Sequence, residues 1–284
     1  MTRLVALLLF VACGAAGAEV RVRDDAGAEV VLAAPARRIV SLAPHATELL
    51  YAAGAGKRVV AVVRGSDHPQ AARALPVVGD AHALDVERIL LARPDLVVAW
   101  PWTAPAQVEK LRARGVAIYT SDPQTIDGIA ASIERLGALA GTPEMADVAA
   151  RAFRDRLAAA VAGVPASGVR VFYAIWHEPL YTVGGRHLVS QAIATCGGEN
   201  VFAALALPAP QVSVEAVIAA RPQVIVAGTD DAKRPGWLDE WRRWPGIPAV
   251  RDGRLRVVDA NLLHRPGPRF ADGVAQLCAA LKQR

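Results

Sequence analysis

Two stretches of this chain are near copies of each other. "DVERILLARPDLVV" runs from Asp85 to Val98, and "SVEAVIAARPQVIV" from Ser213 to Val226. Each holds a capping residue, a Val, a Glu, a helical apolar run, an Arg-Pro break and an apolar strand. A unit of that kind cannot bury its apolar face alone. Written once in each half of a 284-residue chain, it points to two related α/β lobes, and the cleft between them is the natural ligand site.

The flanking pattern agrees. "EVRVRDDAGAEVVL" alternates on both sides of "DDAG", which predicts a β-hairpin with Gly27 supplying the positive φ of its turn. "RRIVSLAP" reads as a buried strand stopped by Pro44, "ATELLYAAGAG" as a helix, "RVVAVV" as a second strand, and "RGSDHPQAARALPVVGDAHAL" as a loop. After the first copy, "APAQVEKLRARG", "VAIYT" and "TIDGIAASIERLGALAG" add helix, strand and helix. Strands alternating with helices predict a parallel, doubly wound sheet.

"TPEMADVAARAFRDRLAAAVAGVP" is different, because no strand signal interrupts it. Thr142 can cap a helix, Pro143 suits its first turn, and Glu144 and Asp147 complement its positive end. It predicts one long helix, over 142–164, linking a lobe at 19–141 to a lobe at 165–284. The second half restarts the alternation with "VRVFYAIW" as strand and "SQAIATCGG" as helix. After the second copy come a Trp-rich helix ("GWLDEWRRW"), a strand ("GRLRVVD") and a closing helix ("RFADGVAQLCAALKQ").

Residues 1–18 read as a secretion signal. Arg3 gives a positive start, "LVALLLFVA" is too short to span a bilayer, and Ala16 and Ala18 are small residues for cleavage after Ala18. The rival is a lipoprotein cysteine at Cys13, which Phe10 and the short upstream segment disfavour. Cleavage leaves Cys196 and Cys278, an even pair in an oxidising compartment, which points to a disulfide. Two buried free thiols are the alternative. A composition 53% hydrophobic and 21% charged supports a globular core. The formal charge of +5 is scattered, without a Lys/Arg block and interleaved aromatics, so nucleic-acid binding is not expected.

Glu87 and Glu215 stand at the same point of the two copies. An acidic side chain in a helix's first turn is worth about 0.3–1 kcal/mol against the macrodipole. Two matched surface carboxylates could also grip a two-fold symmetric partner carrying Arg or Lys. The residues alone leave both readings open.

The stretches "RIVSLAPHATELLYAAGAG", "LPVVGDAHALDVERILLARPDLVVAW", "CGGENVF" and "PQVSVEAVIAARPQVIVAG" resemble the class III periplasmic binding proteins, above all those that feed cobalamin to an ABC importer. The resemblance runs from about Arg37 to the C-terminus. It implies two Rossmann-like lobes joined by one long helix, with a corrinoid in the cleft. It implies that Glu87 and Glu215 dock onto a permease dimer, and that Cys196 and Cys278 are the family's disulfide. It also implies periplasmic location, with no catalytic role, cofactor or resident metal. The chain is expected to be a monomer.

Corrinoid recognition calls for a broad apolar cleft with a few polar groups. Pro44 and His45 stand where the first strand opens into its helix, and Gly65, Ser66, Asp67 and His68 follow the second. His82 lies in "VGDAHAL", and Trp100 and Trp102 follow a parallel strand, where doubly wound sheets present ligand sites. The second half offers Trp176, His177 and Tyr181, then Asn261, Leu262, Leu263, His264 and Arg265. Trp237, Trp241 and Trp244 recur at helical spacing and read as packing. His45 and Glu48 are one turn apart, but no third metal ligand has fitting spacing.

The sequence also departs from the family it resembles. Gly65 matches a family position that is Tyr in the best-known member, Ala81 and Ala209 match two that are Trp there, and Asn261 matches an Asp. Haem, held by an axial His or Tyr, and a ferric siderophore are therefore the rival ligands in the same transport role. A tetrapyrrole metal chelatase is the rival of another class, against which the leader argues.

Overall fold

The computed structural model describes residues 19–165 and 167–282. The leader and Cys13 lie outside the described residues.

The described residues open with the expected hairpin, β1 (Val20–Arg23) antiparallel to β2 (Glu29–Leu32). Gly27 takes φ 84° at its turn, and Asp24 Oδ1 closes it by accepting from the N–H groups of Ala26 and Ala28 at 3.0 and 2.8 Å. The hairpin clamps onto the first lobe. Asp24 accepts from Thr120 N at 3.0 Å, Asp25 accepts from Asp122 N at 2.8 Å, and Asp25 pairs with Arg135.

The first lobe is a parallel sheet of β3 (Ile39–Ser41), β4 (Val59–Val62), β5 (Leu96–Ala99) and β6 (Ile118–Thr120), ordered β4-β3-β5-β6. Its strands read as continuous apolar runs because both faces are covered. Ile39, Leu96 and Val98 face the core formed with α1 (Pro44–Ala52) and α4 (Ile126–Ala140). Val40, Val97 and Ala99 face the opposite core, which includes Ile89 of α2 (Val86–Leu91) and Val108 of α3 (Pro105–Arg112).

The second lobe holds β7 (Val169–His177), β8 (Leu180–Thr182), α6 (Leu188–Thr195), β9 (Gly198–Asn200), α7 (Val214–Ala220) and β10 (Val224–Thr229). It continues with α8 (Gly236–Glu240), α9 (Pro248–Arg251), β11 (Leu255–Asp259), α10 (Ala260–Leu263) and α11 (Phe270–Lys282). Counting β9 beside β7, the order β9-β7-β10-β11 repeats the order of the first lobe. The sheet is not wholly parallel, however. β8 folds back antiparallel on the later part of β7, while β9 runs parallel to its first residues. Neither stands in a continuous apolar run like those of β3 and β6, so the sequence pattern did not reveal them. The Trp-rich helix is also shorter than its spacing predicts: α8 stops at Glu240 and Trp241–Arg243 form a 3₁₀ turn before Pro245. Trp241 is buried and Trp244 packs against the same core, while Trp237 is only partly buried there and also stacks on His177.

The copied units occupy equivalent places, each placing its strand beside the first strand of its lobe. Arg93 and Arg221 adopt φ 46° and 48°, so both breaks turn through the left-handed region before their prolines. The residue after each proline then laces the lobe. Asp95 accepts from the N–H groups of Arg37 and Arg38 at 2.7 and 2.9 Å, and Gln223 accepts from Arg170 N at 2.9 Å. The repeat therefore has a structural use besides its Glu.

The long helix is α5 (Pro143–Val161). Thr142 does not cap it with its side chain; its hydroxyl donates to Ala53 O at 2.6 Å instead. The helix is no free strut either. Ala146, Ala150 and Phe153 are fully buried in a core that also contains Leu136 of α4, Tyr173 of β7 and Leu277 of α11. One core thus runs through both lobes. The bond Cys196–Cys278 ties α6 to α11 within it.

Candidate ligand cleft and docking face

Segments that follow strands of the first lobe meet segments of the second. Arg265, beyond β11, reaches Asp67, beyond β4, at 2.6 Å. Gln191 of α6 donates to Gln124 O, beyond β6, at 2.8 Å. This is the crevice where open α/β sheets take ligands.

The first-lobe candidates stand on the loops after β3, β4 and β5. Pro44 starts α1 and is half-buried, and Gly65 is exposed at φ 85°. Ser66 is buried, held in a hydroxyl chain in which Thr47 contacts Ser41 at 2.8 Å and Ser66 at 3.1 Å. It anchors its loop. Trp100 is pinned through Nε1 to Asp122 at 3.3 Å, and Trp102 is 66% exposed. Ala104 N donates to Ala81 O at 3.0 Å, which sets the loop carrying the exposed His82 beside that of Trp102.

His45 is deeply buried. Its Nε2 meets Ser121 O at 3.2 Å, and its ring stands edge-on to Trp100. Burial pushes its pKa down to about 4. The suggested partnership with Glu48 is not formed. Among the described residues no group of three His, Cys, Asp or Glu is placed to hold a metal.

The second-lobe candidates stand on β7, β8 and around α10. Trp176 is 57% exposed, lies opposite Tyr181 across β7 and β8, and donates from Nε1 to Glu178 O at 2.8 Å. His177, exposed, stacks flat on Trp237 with ring centroids 5.2 Å apart. Asn261 and Leu262 are half-buried on α10, Leu263 is fully buried, and His264 bonds the Tyr173 hydroxyl at 3.0 Å. The structure thus leaves Trp102, Trp176, Gly65 and His82 open, and sets His45, Ser66 and Leu263 behind the surface.

Three features escaped the sequence reading. Leu207 is 66% exposed on a segment bonded along β8, where Thr182 N donates to Pro210 O and Gly184 N to Pro208 O. It lies two residues before Ala209, and only an apolar residue near a lost aromatic hinted at it. Trp237 became part of the His177 surface through the fold alone. The third is an ion cluster joining the lobes. Glu48 of α1 has a side chain 1% exposed and accepts from Arg269 Nε and Nη2 at 2.8 and 2.6 Å. Arg265 Nη1 lies 3.4 Å from the same carboxylate.

His45, His187 and His264 all have pKa values lowered to about 4, in each case first by burial. An imidazole that resists protonation in the fold gives the unfolded chain the greater proton uptake. Stability is therefore full above about 6.5 and falls as the pH drops toward about 4. Urea midpoints measured across that window should decline with acid; a flat profile would contradict the burial of these rings.

Each copied helix runs antiparallel to the strand it precedes, so its first turn lies at the cleft end of the lobe. Asp85 caps α2 by accepting from Arg88 N at 2.9 Å, and Ser213 caps α7 by accepting from Ala216 N at 3.2 Å. Glu87 and Glu215 both project into solvent from those first turns. Bonds from its own backbone N–H and from Ser213 hold the Glu215 carboxyl below its ordinary range, which keeps it charged.

Two similar lobes around a cleft, with one exposed carboxylate at matching places on each, define a bilobed substrate-binding protein. A model of the periplasmic binding protein family matches residues 39–262, and the chain belongs to that family. The vitamin B12-binding protein of Vibrio cholerae serotype O1 is 40% identical over 251 residues, covering 87% of this chain and 90% of that one. That of Pectobacterium carotovorum subsp. carotovorum is 35% identical over 249 residues, with 86% and 88% covered. The crystal structure of the periplasmic vitamin B12 binding protein of Vibrio cholerae is similar with a TM-score of 0.78 at 39% identity, covering 88% of this chain and 99% of that one. The periplasmic heme-binding protein RhuT of Roseiflexus sp. RS-1, in apo form, gives 0.74 at 29% identity, with 86% and 97% covered.

Proposed function

We propose that this chain is an exported carrier that captures cobalamin or a related corrinoid and delivers it to the permease dimer of an ABC importer. The observation that carries the reading is the 40% identity to the Vibrio vitamin B12-binding protein over 87% of the chain. Trp102 and Trp176 are consistent with it, because they offer exposed indoles on the two lobes for a large, flat, amphipathic ligand. Tyr181, Pro44, Trp100, Asn261, Leu262, His264 and Arg265 complete the proposed lining. His45, Ser66 and Leu263 support it from behind.

In this reading residues 1–18 are removed after Ala18 and the mature chain works as a periplasmic monomer. Residues 19–141 and 165–284 form the lobes and 142–164 the link. Glu87 and Glu215 are the docking carboxylates, each meeting a cation on one permease subunit. The chain transfers its cargo without chemistry.

Haem is the second reading, favoured by the likeness to the Roseiflexus heme-binding protein and by the exposed imidazoles of His82 and His177. Absorbance spectra with hemin and with dicyanocobinamide separate the two. A sharpened hemin band with no corrinoid binding would transfer the assignment to haem, whereas corrinoid binding alone supports the first reading.

A further inference from the structure

Four arginines from four separate segments meet at the start of β11. Arg234 follows β10, Arg242 lies in the 3₁₀ turn after α8, Arg251 ends α9, and Arg256 is the second residue of β11. With Val250 and Leu255 they line a pocket of about 550 Å³. β11 is the edge strand of its sheet, and its first residues lie at the end away from the cleft. The pocket is thus separate from the proposed corrinoid cleft, and at the opposite end of the sheet from Glu215.

Two of these guanidiniums donate to backbone carbonyls. Arg234 donates from Nη1 to Leu255 O at 3.1 Å, and Arg256 donates from Nη1 to Gly253 O at 2.9 Å. A single oxygen of Asp239 serves both Arg234 Nη2 at 2.8 Å and Arg242 Nη2 at 3.2 Å, while Arg251 forks onto Asp252 at 2.7 and 3.0 Å. Like charges crowd here. Burial, and then the charges of Arg254 and Arg234, push the Arg256 pKa down. An ordinary solvated surface spreads such charges apart; here the fold gathers them around a concavity.

We propose that this pocket binds a phosphate-type oxyanion carried on a larger polar body. Planar guanidiniums fork onto such groups, whose several acceptor oxygens can satisfy more than one arginine. The volume falls in the range of about 300–1,000 Å³ usual for small-molecule sites. It exceeds what a lone phosphate needs, and Val250 and Leu255 give it an apolar wall. The same chemistry is offered by a soluble phosphoester and by an anionic lipid headgroup.

The test titrates pyrophosphate into the purified protein at low ionic strength, and in parallel floats the protein with phosphatidylglycerol or phosphatidylcholine vesicles. The decisive variant is Arg242→Ala with Arg251→Ala, whose side chains are 71% and 63% exposed and outside the core, so its thermal midpoint should be unchanged. Saturable pyrophosphate binding, or retention by phosphatidylglycerol alone, weakened at least about tenfold in the variant, supports the site. Pyrophosphate binding without vesicle retention assigns a soluble phosphoester; retention by anionic vesicles assigns a headgroup. Absence of both, or equal binding by the variant, would overturn the proposal.

Discussion

Replacing Glu87 and Glu215 together by Ala should abolish corrinoid delivery through the importer while leaving corrinoid affinity unchanged. Both carboxylates are exposed, so removing them costs little in folding; the macrodipole term is about 0.3–1 kcal/mol for each. Docking is another matter. A carboxylate that meets a cation in a desolvating interface leaves that cation buried and unpaired when it is truncated, at roughly 2–5 kcal/mol per contact. Two such losses weaken the complex by several orders of magnitude. Transport in reconstituted vesicles is the readout, with calorimetry of the free protein as the control. The single variants should each be impaired, because a two-fold symmetric partner uses both ends. Wild-type uptake by the double variant would return both glutamates to the role of helix-end charges.

Glu48→Ala should be among the most destabilising single changes in the chain. The Glu48 side chain is 1% exposed and holds Arg269 in a two-pronged pair, with Arg265 beside it. Breaking a buried pair by removing one partner costs about 3–5 kcal/mol, because the other charge stays behind in a poor dielectric. For a chain of this size about 1 kcal/mol moves the thermal midpoint by roughly 2–4 °C, so a drop on the order of 10 °C is expected. Glu48→Gln, which keeps the shape and one acceptor, should fall between. The pair also joins the lobes, since Glu48 lies on α1 and both arginines follow α10. Removing it should therefore increase proteolysis in the segment between Arg265 and Arg269. An unchanged midpoint would mean that the cluster is a bystander.

How much of this was legible depended on range. The copied unit announced two lobes, and the equivalent strand order confirms what the copy means. The hairpin, the long helix and the positions of Glu87 and Glu215 each follow from patterns within some twenty residues, where capping, turn chemistry and apolar period act. What the sequence withheld was long-range. Nothing local pairs Glu48 with Arg269, and nothing in "HATE" warned that His45 would be buried against Ser121 while Glu48 turned to arginine. β8 and β9 were missed because neither lies in a buried-type apolar run: β9 is the polar Gly198–Asn200, and β8 sits between Pro179 and the pair Gly184 and Gly185. The scattered arginines of the second lobe read as a solvated surface, and only folding brings four of them to one pocket.

The departures from the cobalamin-binding pattern also become concrete. Ala81 and Ala209 are exposed, so no rearranged core has filled the places of the missing aromatics. At Gly65 the backbone sits at φ 85°, which an L side chain rarely adopts, so restoring Tyr there would require the loop itself to shift. Leu207 and Trp176 are exposed apolar groups on the second lobe, and His177 stacks on Trp237.

The central claim is that the open cleft takes a corrinoid despite those losses. Calorimetric titration of the purified protein with cyanocobalamin, beside the Trp102→Ala and Trp176→Ala variants, tests it most directly. Binding at one-to-one stoichiometry, weakened at least about tenfold by either truncation, is the expected result. No binding of cyanocobalamin by the folded wild-type protein would contradict it.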